Sequence, residues 1–246
     1  MSKITVVTSG KGGTGKTTVS TGLAVAFARK NEKVLLIDCD CGMRGVDLMF
    51  GIESKLFFDI ADAVNGNCDI RKAIYAVDKI KGLYVIPAPI HSDNEVSPQL
   101  MQQLISTVKK DFDRIIIDSP AGVGSGFESA ASCADSAIIV VNPEPISIRG
   151  CLNVRTRLMQ KGVCEIRLVI NRLSKDDFLE MGIYPDLDSV IDCAQTQLLG
   201  VVEEDKRLAC MTQCGQAGMY WCKSLPVFEC MANRLEGANI NLVCKL

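Results

Sequence analysis

An α/β fold, with a mostly parallel sheet covered by helices on both faces, is what the 246-residue sequence predicts from three observations. Continuous apolar runs of strand length recur along the chain, stretches with helical spacing separate them, and the first run hands over to a helix through a glycine-rich loop. Strands buried on both faces read as unbroken apolar runs, and helical crossovers join parallel neighbours. Such sheets bind ligands at the carboxyl ends of their strands, so chemistry is sought there.

The first strand is expected at Ile4-Thr5-Val6-Val7-Thr8, a β-branched run, and the first helix at 18–29, where Val19, Leu23, Ala26 and Phe27 recur at helical spacing. Between them stands Gly10-Lys11-Gly12-Gly13-Thr14-Gly15-Lys16-Thr17, which fits G-x-x-x-x-G-K-[ST] and carries a second lysine, Lys11, inside the frame. Glycines let backbone N–H groups turn inward around phosphate oxygens. Lys16 reaches the β- and γ-phosphates, and the Thr17 hydroxyl is placed to ligate Mg²⁺. Gly10 to Thr18 are therefore the expected nucleotide contacts, in a P-loop NTPase fold that takes a nucleoside triphosphate with magnesium. A turn that binds nothing is the bland alternative, and a full match between strand and helix argues against it.

Further strands are expected at 33–38, 83–86, 114–118, 136–141, 166–171 and 198–202, with helices at 98–110, 127–133 and 148–161. Two strands finish in aspartate, at Leu35-Leu36-Ile37-Asp38-Cys39-Asp40 and at Ile115-Ile116-Ile117-Asp118-Ser119-Pro120-Ala121-Gly122. Such an aspartate is ordinarily a turn or helix cap. Downstream of a phosphate loop the assignment changes. Asp118 suits the Walker-B role, holding Mg²⁺ opposite Thr17, and its Pro-Ala-Gly continuation suits a loop that senses the γ-phosphate. Asp40 suits orienting the attacking water or accepting its proton, and Asp38 suits supporting Mg²⁺ without touching it.

Composition fits one domain spanning residues 1–246: 48% hydrophobic residues supply an ample core, and 27 basic against 29 acidic residues leave a net charge of −2, so no global field recruits nucleic acid or anionic lipid. No run is apolar enough to span a membrane and no leader precedes Ile4, so a cytoplasmic protein is expected. Of twelve cysteines, Cys133, Cys151, Cys164 and Cys193 lie singly among apolar residues and are expected to be buried thiols. Cys39 with Cys41, and Cys210 with Cys214, are the closest pairs; neither makes a zinc array, although the second, if its segment is helical, shares a helix face able to take a cluster or metal. His91, after Pro87-Ala88-Pro89, reads as a loop residue.

The chain resembles the MinD family of septum site-determining ATPases, within the deviant Walker A group, over nearly its whole length. The resemblance is carried by Val7-Thr8-Ser9-Gly10-Lys11-Gly12-Gly13-Thr14-Gly15-Lys16-Thr17-Thr18, by Asp40-Cys41-Gly42-Met43-Arg44-Gly45-Val46-Asp47-Leu48, by Asp118-Ser119-Pro120-Ala121-Gly122 and by Asn142-Pro143-Glu144. It implies an ATP-dependent homodimer in which Lys11 reaches the partner's phosphates, a cation supplied in trans as an arginine finger is. It also implies adenine binding between Asn171-Arg172 and the loop after Val201-Val202, here Glu203-Glu204-Asp205 without the family's usual proline. Implied partners are a MinC-like inhibitor, a MinE-like stimulator and the membrane surface.

Two departures bear on those partners. The helix at 148–161 matches the family's partner-contact helix, yet Gly150 stands where an acidic residue is common, and Arg149, Arg155, Arg157 and Lys161 make it basic. The family's basic amphipathic C-terminal helix is matched by residues 238–246, whose asparagines, β-branched residues and single lysine make a poor interfacial helix, so a degenerate anchor is expected. Chromosome, plasmid or flagellar positioning is the near alternative, and residues 201–246, with five basic and five acidic residues, offer no DNA-binding patch. Iron–sulfur or electron carriers on this fold would need a paired-cysteine site, and amide-forming synthetases a small-molecule pocket.

Overall fold

The computed structural model describes residues 2–41, 43–89, 96–218 and 222–242. In chain order the elements are β1 (Lys3–Thr8), α1 (Lys16–Arg29), β2 (Val34–Asp38), α2 (Val46–Phe50), α3 (Ile60–Val64), β3 (Tyr75–Ala76), β4 (Leu83–Ile86), α4 (Pro98–Val108), β5 (Arg114–Asp118), α5 (Ser125–Ala131), β6 (Ser136–Val141), α6 (Pro145–Gln160), β7 (Glu165–Leu173), α7 (Lys175–Met181), α8 (Leu187–Ala194), β8 (Gln197–Glu203), α9 (Lys206–Gln213) and α10 (Leu225–Leu235). The strands form one sheet, ordered β3-β4-β2-β5-β1-β6-β7-β8, in which every neighbouring pair is parallel except β3 with β4.

Alternation along each strand divides the core into two layers. Val6, Ile37, Ile117, Ile139 and Ile170 face α4, α5, α6 and α8, whereas Val7, Leu36, Ile116, Val140 and Val169 face α1 and α10. Because both faces are buried, each strand reads as a continuous apolar run, the pattern that announced it. Register sets the site. Asp38 pairs with Asp118 and Asp118 with Val7, so the two aspartates stand side by side at the carboxyl edge, next to the loop that follows β1.

The strands expected at 83–86, 114–118 and 136–141 match β4, β5 and β6 residue for residue. The helix expected at 148–161 starts earlier, at Pro145, where a fixed φ suits the first turn. That expected at 127–133 is displaced to Ser125–Ala131. The expectation of buried thiols fails at two positions: Cys151 is buried, but Cys164 and Cys193 are exposed and Cys133 is only half-buried. Sequence neighbours on α8 point to opposite sides, so Val190 and Ala194 meet the core while Cys193 faces solvent. His91 lies outside the described residues, as do residues 243–246. Residues 238–242 carry no helix or strand, and no helix among the described residues is long and apolar enough to cross a membrane.

Candidate nucleotide site

The loop between β1 and α1 is shaped by left-handed glycines and held from beneath. Gly15 has φ 91°, and a side chain there would also collide with Asn171, whose Nδ2 lies 2.2 Å from the ideal Cβ position. Asn171 is 3% exposed; its side chain donates to the Thr14 carbonyl at 2.7 Å, and its own carbonyl accepts from Asn142 Nδ2 at 3.0 Å. The structure thus sets Asn171 under the phosphate loop, where its side chain braces the backbone. Arg172, the next residue, instead lines an open cleft of about 260 Å³ together with Lys11, Gly12, Gly13, Glu144 and Glu204. No atom of the described residues lies within 4 Å of the Cβ positions of Gly12 and Gly13, which leaves the outer face of the loop open.

Gly150 has a structural reason. An ideal Cβ on Gly10 would lie 2.2 Å from the Gly150 carbonyl carbon, and one on Gly150 would lie 2.9 Å from Gly10 Cα, so α6 packs backbone to backbone on the phosphate loop. The acidic residue common in the family has no room here. Gly150→Asp is expected to push the loop away, lowering the melting temperature and weakening ATP binding by roughly 10- to 100-fold. Calorimetric titration checks this; wild-type affinity would show that the contact is not needed. The basic character expected of α6 is uneven: Arg149 and Arg157 are exposed, Arg155 is half-buried, and Lys161 is paired with Glu128.

At the start of α1, Lys16 is 6% exposed and makes no ion pair among the described residues. Burial raises the Asp40 carboxyl above its ordinary range, and the Lys16 ammonium opposes that rise, which places the two charges near each other across the loop. Asp118 is fully buried. Its Oδ1 accepts from Ser20 Oγ at 2.9 Å, the nearby Thr17 and Ser20 hydroxyls oppose the rise that burial imposes on its carboxyl, and Oδ2 has no partner among the described residues. Asp38 is committed on both sides, Oδ1 accepting from the Asp40 N–H at 2.9 Å and Oδ2 from the Val46 N–H at 3.1 Å. Its work is to hold the Asp40 loop and the first turn of α2. An orphaned carboxylate oxygen beside a threonine hydroxyl, with a buried unpaired ammonium, fits Mg²⁺ and a polyphosphate. Ser20 escaped the sequence reading, although it stands one turn beyond Thr17 on the same helix face.

Burial, then the neighbouring Asp118 charge, pushes the Asp38 carboxyl up to about 8; burial pushes Asp118 up to about 6. The folded chain therefore holds protons here that the unfolded chain releases near pH 4. Stability from those protons is complete below about pH 4 and is lost as pH rises through about 6 and then about 8. The melting temperature of the nucleotide-free, magnesium-free protein is expected to fall across that window, and to fall less in Asp38→Asn. Equal slopes in the two proteins would contradict the assignment.

Lys11 is held within its own chain. Its Nζ lies 2.5 Å from Glu144 Oε2, with the two side chains 39% and 50% exposed. An exposed pair of this kind contributes about 0–1 kcal/mol, so little opposes its release. Of the acidic loop after β8, Glu204 reaches the cleft, while the Asp205 carboxylate accepts from the N–H groups of Arg207, Leu208 and Ser224 and from Ser224 Oγ. That cap anchors the loop in the absence of the family's proline.

Comparison with known proteins gives a consistent result. A family model described as an AAA domain matches residues 2–163. The septum site-determining protein MinD of Synechocystis sp. is 35% identical over 98% of this chain and 91% of its own length. In the MinC:MinD cell division protein complex of Aquifex aeolicus, a chain 30% identical superposes with a TM-score of 0.87, covering 99% of both chains. MinD of Pyrococcus horikoshii complexed with Mg-ADP is 28% identical, with a TM-score of 0.85 over 98% of this chain and 100% of that one.

Proposed function

Because the chain belongs to the MinD family of septum site-determining proteins, we infer that residues 1–246 form one ATPase domain whose ATP-bound dimer acts as a switch in septum placement. The protein is a Mg²⁺-dependent ATPase with a P-loop NTPase fold. The observation that carries the site assignment is the convergence, at one sheet edge, of a buried Lys16 and an Asp118 oxygen that have no partner among the described residues, beside the open phosphate loop. Full-length similarity to septum-site proteins favours this role over chromosome, plasmid or flagellar positioning.

Thr17 and Asp118 would hold Mg²⁺, which supplies charge neutralisation at the phosphates. Backbone N–H groups of Gly10 to Thr18 cradle the phosphate oxygens, and Lys16 offsets their charge. Asp40, tethered through its N–H to Asp38, orients the attacking water or takes its proton. Arg172 and Glu204 border the adenine side of the cleft. Lys11 leaves Glu144 to reach the phosphates of a second copy, so hydrolysis awaits dimerisation.

A MinC-like inhibitor fits the reading because the Aquifex aeolicus relative is seen with MinC. A MinE-like stimulator, a cytoplasmic location and transient contact with the inner membrane surface follow from family membership and belong to the same proposal. Steady-state turnover tests the switch. Specific activity is expected to rise with protein concentration and to vanish on chelation of Mg²⁺. Concentration-independent specific activity would contradict a dimer-dependent ATPase.

A further inference from the structure

Cys210 and Cys214 stand apart from the nucleotide machinery. Both thiols are exposed, and the Cys214 N–H donates to the Cys210 carbonyl at 3.0 Å, which closes one helical turn at the end of α9 and sets both side chains on one face. The Cys210 thiol lies close enough to the Cys214 thiol to push it above its ordinary range. No third histidine, cysteine, aspartate or glutamate completes a metal-ligand cluster among the described residues.

We propose that Cys210 and Cys214 form a two-coordinate thiolate site for a soft monovalent cation, with Cu(I) as the cellular candidate. Geometry separates this from a disulfide. Side chains four apart on a helix have Cβ atoms about 5–6 Å apart, whereas a disulfide needs them at roughly 3.5–4.5 Å, so closing one would unwind the last turn. Two metal–sulfur bonds of about 2.3 Å hold a pair of sulfurs roughly 4.6 Å apart, which the intact turn spans. Ligand number separates it from zinc, which demands four donors, while soft thiolates select Cu(I). A helix carboxyl end disfavours free thiolates, so the pair gains from a cation that neutralises them. Uptake releases both thiol protons to solvent and leaves a dithiolate complex of single negative charge, with no change of oxidation state.

The site adjoins the nucleotide machinery. Gly215, the residue after Cys214, packs its backbone on Gly51 at the end of α2, and the Ala217 N–H donates to the Met49 carbonyl at 2.9 Å. α2 is the helix whose first N–H is held by Asp38.

Anaerobic titration of the full chain with Cu(I), against a chromophoric Cu(I) chelator, tests the proposal. One tight equivalent is expected in the wild type, in Cys164→Ser and in Cys193→Ser. In Cys210→Ser and in Cys214→Ser its affinity should fall on the order of 100-fold or more, because the second thiolate acts at high effective concentration. X-ray absorption should show two sulfur neighbours. Retention of that equivalent by either Cys210→Ser or Cys214→Ser, its loss in Cys164→Ser or Cys193→Ser, or a shell of three or more sulfurs would overturn the assignment.

Discussion

Lys16→Ala is expected to abolish measurable ATP binding, weakening it by more than about 100-fold, because it removes the one ammonium that is buried at the loop without an ion-pair partner among the described residues. The cost of keeping that charge 6% exposed is met only when phosphate arrives, so the interaction is worth far more than a surface pair. Calorimetric titration with Mg-ATP reads the effect. The fold should survive, since Lys16 makes no ion pair among the described residues. Unchanged affinity would remove the basis for placing the nucleotide at this loop.

The second large effect is on turnover rather than on binding. Asp40→Ala should lower hydrolysis by roughly 100- to 1,000-fold while ATP affinity stays within a few-fold of wild type. The tether that positions Asp40 is its backbone N–H to Asp38, which alanine preserves, so the variant isolates the carboxylate. Steady-state kinetics with a parallel binding measurement checks this. A matched fall in affinity and turnover would mean that Asp40 serves binding and not the attacking water.

The phosphate loop and the strand-end aspartates were legible in the chain because both obey short-range rules: a glycine spacing, and an acidic residue closing an apolar run. The contact of Asn171 with the phosphate loop was not legible. A lone asparagine at a strand end says nothing about a carbonyl 157 residues away, and only the parallel crossovers bring the end of β7 beneath Thr14. Gly150 was visible as a departure but not as a contact, since its meaning depends on how closely α6 approaches Gly10. Likewise α8 and α9, each of eight residues, are too short for apolar periodicity to stand out from a loop. The thiols at Cys164 and Cys193 were misplaced because apolar neighbours in sequence are not neighbours in space.

The central claim, that nucleotide drives a dimer in which Lys11 acts across the interface, is tested most directly by light scattering with saturating Mg-ATP in two variants. The account predicts that Asp40→Ala accumulates at twice the monomer mass while Lys11→Ala, which also loses its pairing with Glu144, remains at the monomer mass although ATP is bound. A Lys11→Ala protein that doubles its mass with ATP as Asp40→Ala does would contradict it, and Lys11 would then be no more than an exposed partner of Glu144.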